Sequence, residues 1–169
     1  MRKVVLGALM VCLLVSVGLW ADADEDKDRG ELAKAVVEAK VSLEQSLSAA
    51  AREGKPISAK FEIDEGKLQL SVYTSKGDKF SEVVVDHNTE TVAKTESITS
   101  GEDLTAAKAQ SEAMSKAKQS LRTTLTKVLK DNPGFRAVSI FPALKDGHPA
   151  AQATLVMADQ WRTVSEKLD

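Results

Sequence analysis

Ala39-Lys40-Val41-Ser42-Leu43-Glu44-Gln45-Ser46-Leu47 and Ala117-Lys118-Gln119-Ser120-Leu121-Arg122-Thr123-Thr124-Leu125 are identical at five of nine positions, at a spacing of 78 residues. Similarity at a fixed spacing is the sequence mark of a repeated unit. The same spacing aligns Ala59 with Ala137 and Ile63 with Phe141. A longer hairpin in the second copy then moves the spacing to 81, where Asp78 meets Asp159, Phe80 meets Trp161 and Val83 meets Val164. These matches keep one order along the chain, so the sequence predicts two copies of one unit.

Each copy reads as a helix followed by strands. Leu32, Val36, Ala39, Leu43, Leu47 and Ala50 recur at spacings of three and four, the stripe of an amphipathic helix. Asp28 and Glu31 stand at capping-box spacing before it, and Gly54 and Pro56 end it. The period then falls to two, with Ile57, Ala59, Phe61 and Ile63 alternating with Ser58, Lys60, Glu62 and Asp64. Asp64-Glu65-Gly66 and Ser75-Lys76-Gly77-Asp78 turn the chain into two further strands, and a short one follows near Thr91–Lys94. The second copy repeats the order: Ala107, Met114, Ala117, Leu121, Leu125 and Val128 on a helix, then strands near 136–143, 150–158 and 160–168. Short turns between consecutive strands make the pairing antiparallel. The expected fold is α+β, two tandem repeats, each one long helix packed on a small antiparallel sheet.

The first residues speak to location. Met1-Arg2-Lys3, an apolar run from Val4 to Trp20 and Ala21-Asp22-Ala23 are the parts of a secretory signal peptide, with the cut expected after Ala23. A retained membrane anchor is the alternative reading. Cys12 is the chain's one cysteine and falls in the apolar run, so the expected mature chain has no disulfide, thiol nucleophile or cysteine metal ligand. With 23 basic and 25 acidic residues, the chain has no basic excess to bind nucleic acid.

No motif points to chemistry. His87 beside Asp86 and His148 after Gly147 read as exposed turn residues, and no His-Glu-x-x-His spacing joins them. Asp64-Glu65 is a carboxylate pair at a hairpin tip, explained by its turn. The acidic run at 22–28 lacks the glycine and spaced oxygen ligands of a calcium loop. Phe80 and Trp161 are expected to pack in the core, with a pair of surface anchors as the alternative. No catalytic, cofactor-binding or metal-ligating residue is therefore assigned, and no cofactor is expected.

Glu38–Ala51, residues 54–62, Leu68–Tyr73 and Val83-Val84-Val85-Asp86-His87-Asn88-Thr89-Glu90-Thr91-Val92 together resemble the PepSY-like group of domains. The last segment is similar to that family's ending, Val-Asp-x-x-Thr-Gly-x-Val. Glu90 stands where glycine is usual, so a remodelled turn is expected. The second copy departs further, because Asp169 stands where that turn should begin. The resemblance implies a non-catalytic domain of exported proteins, of a kind found in propeptides of secreted metalloproteases and proposed to bind or inhibit peptidases. It brings no catalytic residues to this chain.

The expected organisation is a signal peptide at 1–23, an acidic flexible start at 24–30, a first PepSY-like repeat at 31–95, a linker at 96–103 and a second, shortened repeat at 104–169. The function expected is that of an exported, non-enzymatic binding module, periplasmic or secreted, whose partner is an envelope protein or peptide, with a peptidase as the partner the resemblance implies. Neither nucleic acid nor stable membrane insertion is expected. The alternatives are an envelope hydrolase with a site scattered in sequence, and a structural envelope protein that self-associates through its sheet edges.

Overall fold

The computed structural model describes residues 23–169. The expected signal segment, with Cys12, lies outside the described residues except for Ala23, which begins the first helix. The elements are α1 (Ala23–Glu38), α2 (Leu43–Ala50), β1 (Lys55–Asp64), β2 (Lys67–Lys76), β3 (Lys79–Val85), β4 (Val92–Ile98), α3 (Gly101–Lys116), α4 (Leu121–Asp131), β5 (Arg136–Lys145), β6 (His148–Met157) and β7 (Gln160–Lys167). Residues 24–30, read above as an acidic lead, fall within α1. Residues 96–98 of the expected linker belong to β4.

The expectation of two small sheets is overturned. All seven strands form one antiparallel sheet in the order β4-β3-β2-β1-β5-β6-β7. Hairpin turns fix the pairing of β1 with β2 and of β5 with β6, which leaves each of β1 and β5 one open edge. Those two edges pair with each other, Ala59 opposite Ile140 and Lys60 opposite Ser139. Joining them satisfies backbone groups that two separate sheets would leave open.

The expectation of one long helix per copy is also overturned. Each is two helices with a break at the best-matched stretch of sequence. Ser42 caps α2: its Oγ accepts from the Gln45 amide at 3.2 Å, and Gln45 Oε1 accepts from the Ser42 amide at 2.9 Å. Ser120 caps α4, accepting from the Thr123 amide at 3.1 Å. The break also exposes amides ahead of each cap. Lys40 and Val41 donate to the His87 carbonyl, both at 3.0 Å, and Lys118 and Gln119 donate to the Leu168 carbonyl at 2.7 and 3.2 Å. The shared Ala-Lys-x-Ser-Leu therefore encodes a helix break and its N-cap, a position where serine is favoured over alanine.

The change of spacing from 78 to 81 is not in a hairpin. α2 has 8 residues and α4 has 11, so the three extra residues lie in the second helix. From β1 onward the β1–β2 register recurs in β5–β6 at 81: Asp64↔Lys67 and Lys145↔His148, with register shifts between Pro56 and Ser58 and between Ala137 and Ser139. Ala59 therefore corresponds to Ile140, and Lys60 to Phe141, in place of the matches expected from sequence.

Residues directly opposite in neighbouring strands share a face of the sheet. Val83, Val72, Ala59, Ile140, Ala153 and Val164 form one such row across six strands. The first five are fully buried, and Val164 packs against the same cluster. α2 and α4 lie side by side and bring Leu43, Leu47, Leu121, Leu125 and Val128 into this core. On the other face, Ser58 Oγ donates to Gln110 Oε1 of α3 at 2.7 Å, with both side chains buried. The halves also exchange helix ends. Lys55 Nζ donates to the Met114 carbonyl in the last turn of α3 at 2.9 Å, and the Arg136 guanidinium donates to the Val37 carbonyl in the last turn of α1 at 3.2 Å. Cations at helix C-termini offset the unpaired carbonyls there.

Candidate binding surface

The two halves place equivalent strands in different surroundings. β3 is paired on both sides, by β2 and by β4. β7, its counterpart 81 residues on, pairs only with β6, and among the described residues no strand pairs with its outer edge. An outer strand presents a row of amides and carbonyls able to take on another strand.

The side chains of β7 divide between the two faces. Arg162, Val164 and Glu166 stand opposite Leu155, Ala153 and Ala151 and so share the α4 side. Arg162 donates to Asn132 Oδ1 at 2.5 Å and covers the Phe135 ring at 4.5 Å, while Glu166 pairs with Lys127 of α4 at 2.5 Å. Trp161, Thr163, Ser165 and Lys167 face the other way. Trp161 is half-buried beneath Arg29, whose guanidinium is 5.2 Å from the ring. Arg29, Ala33, Val37, Ala158 and Trp161 line an open groove at the start of β7, and Val37 is 52% exposed. Of the equivalent pair, Phe80 is buried as expected of a core residue, whereas Trp161 borders the groove.

A polar cluster occupies the sheet of the first half. Lys60 Nζ meets Glu62 at 2.5 Å and lies 5.9 Å from the centre of the Tyr73 ring. Ser71 Oγ donates to Glu82 Oε1 at 2.8 Å, and Gln69 Nε2 donates to the same oxygen at 3.3 Å. Burial pushes the Glu82 carboxyl above its ordinary range, partly opposed by the Ser71 hydrogen bond, and burial also raises the Tyr73 hydroxyl. At the spacing of 81, the counterparts of Lys60, Glu62, Gln69, Ser71, Tyr73 and Glu82 are Phe141, Ala143, Ala150, Gln152, Thr154 and Thr163. The second half builds the same strands without a charge at any of these positions, so the strands themselves do not require the charges. These residues come from three strands and form no contiguous motif; only the pairing of β1, β2 and β3 brings them together.

The histidines differ from each other. His148 opens β6 beside its turn, exposed as expected, with Nδ1 3.0 Å from Asp169 Oδ2; that hydrogen bond holds the Asp169 carboxyl below its ordinary range. His87, expected as an exposed turn residue, is half-buried, and its Nδ1 is enclosed with no hydrogen-bond partner among the described residues. Its backbone explains the position, since the His87 carbonyl receives the two amides of the α1–α2 break. Asp64 and Glu65 occupy the β1–β2 hairpin tip, where Glu65 has φ +47° and Gly66 φ +75°. Asp86 Oδ1 accepts from the amides of Asn88 at 2.7 Å and Thr89 at 3.1 Å, which lowers its carboxyl. Glu90 adopts φ +63°, the left-handed backbone that favours glycine.

Among the described residues no group of three or more His, Cys, Asp or Glu side chains could hold a metal ion, and no helix is long and apolar enough to cross a membrane. No family model, curated protein or solved structure matches this chain.

Proposed function

We propose that this chain is an exported, non-enzymatic binding module that takes an extended segment of a protein partner onto β7 by strand addition. The observation that carries the proposal is the difference between equivalent strands: β3 has β4 at its outer side, and β7 has no described strand there. Main-chain hydrogen bonds would supply affinity and the alternating side chains of β7 selectivity. The Trp161 groove is placed to take residues flanking the added segment. Export rests on the charged, apolar and small-residue order of residues 1–23. The non-catalytic role, with an envelope peptidase as the partner class, rests on the PepSY-like resemblance of Val83–Val92.

Selection of phage-displayed peptides on the immobilised protein tests the proposal, with the footprint of selected peptides mapped by amide hydrogen exchange. Protection concentrated at residues 160–167 is expected. Failure to enrich any peptide, or a footprint elsewhere, contradicts it.

A further inference from the structure

We infer that the free chain covers this edge with a second copy of itself, β7 pairing antiparallel with β7 about a two-fold axis at Val164. The inference rests on the strand-edge reading of β7 and names one occupant for it.

The register follows from charge and parity. A two-fold axis normal to the sheet keeps the faces aligned, so only residues on one face of β7 can stand opposite each other. Arg162, Val164 and Glu166 share one face; Trp161, Thr163, Ser165 and Lys167 share the other. Centring the pair on Val164 sets Arg162 of each copy opposite Glu166 of the other, twice, with the two Val164 side chains meeting between them. On the other face, Thr163 meets Ser165, and Trp161 meets Lys167 at a separation that suits a cation and an aromatic ring. The neighbouring registers lose this match. A centre at Thr163 puts Arg162 opposite Val164 and Glu166 opposite Gln160. A centre at Ser165 puts Val164 opposite Glu166, and a centre at Arg162 sets two guanidinium groups against each other.

Both charged groups keep capacity for the added contact. Arg162 carries five donors and uses Nη1 on Asn132, and the Lys127 contact on Glu166 is made at Oε1, leaving Oε2. A closed pair of this kind also leaves no β7 edge exposed, whereas an open head-to-tail assembly through β4 and β7 leaves one at its end.

The test uses the 169-residue chain with Cys12→Ser, expressed in an exporting host and purified, so that any introduced thiol is the only one. Sedimentation equilibrium should show a dimer. Oxidised Val164→Cys should cross-link to its own copy. Thr163→Cys and Ser165→Cys should cross-link to each other on mixing and neither to itself, because only directly opposed positions meet disulfide geometry. Arg162→Glu and Glu166→Arg should each weaken self-association by roughly tenfold or more, since each sets like charges opposite. Mixed together, these two variants should pair with each other, because both cross-strand contacts then join opposite charges. A protein that stays monomeric while selected peptides still protect 160–167 overturns the inference and leaves the strand-addition reading intact. A dimer whose cross-links fall at other positions overturns the inference as well. Absence of both dimer and peptide footprint removes the strand-addition reading together with it.

Discussion

Ala59 and Ile140 stand opposite each other at the centre of the sheet, and each is the other's counterpart in the two halves. An antiparallel strand pair has local two-fold axes normal to the sheet. A residue paired with its own counterpart therefore places such an axis at the junction. The row Val83-Val72-Ala59-Ile140-Ala153-Val164 is symmetric about that point. The same relation explains why Lys55 and Arg136, counterparts at the starts of β1 and β5, reach the ends of each other's helices.

Ile140 is fully buried at this junction, so Ile140→Ala should cost about 2–5 kcal/mol through lost transfer energy and an unfilled cavity. Ala59→Leu, which overfills the same place from the other strand, should cost roughly 1–3 kcal/mol. Urea denaturation of both variants, compared at equal m-value, measures these costs.

Leu43 and Leu121 follow the two caps and are almost wholly buried. Each change to alanine should cost about 2–5 kcal/mol. Ser42→Ala and Ser120→Ala should cost about 0.5–2 kcal/mol each, because the first amides of α2 and α4 lose their acceptors. Thermal melts of the four variants should separate into these two groups.

Glu82 gives the first half a pH dependence that Thr163 cannot give the second. Burial raises its carboxyl, Glu62 and Glu96 add to the rise, and Ser71 and Lys60 oppose it. The folded chain thus favours the protonated form. Its stabilising contribution is full below the ordinary carboxylate range and is lost as pH rises through the elevated pKa. Glu82→Gln should therefore raise the melting temperature at pH 7, with the gain shrinking toward zero as the buffer approaches about pH 4. Melting curves of the variant and parent across that range decide the sign.

Ala158 adopts φ +55° where its counterpart Gly77 adopts φ +62°. A left-handed backbone costs a residue with a Cβ about 1–2 kcal/mol, partly offset by the greater freedom glycine has when unfolded. Ala158→Gly should stabilise the chain by about 0.5–1 kcal/mol in equilibrium unfolding.

Local features were legible in the sequence. The alternation at Ile57–Ile63 and the turn at Asp64-Glu65-Gly66 set the strands correctly, because both depend on neighbouring residues. The match at 39–47 and 117–125 was visible, but its meaning was not: serine within an apolar stripe reads as a tolerated helix residue until its Oγ is seen to cap. The β1–β5 junction was not legible either. Alternation tells which face of a strand is buried and says nothing of which distant strand lies at its edge. The polar cluster and the open side of β7 likewise depend on which strands pair, so they emerged only with the fold.

The junction at Ala59 and Ile140 is tested most directly by separating the halves. Chains of residues 24–98 and 99–169 should each lack a cooperative unfolding transition, because each would expose the inner edge of β1 or β5 and lose the cation that closes its helix end. Mixing them should restore a single transition close to that of the intact protein. Two halves that fold independently, with stabilities that together equal the parent's and with no change on mixing, would contradict the single seven-stranded sheet.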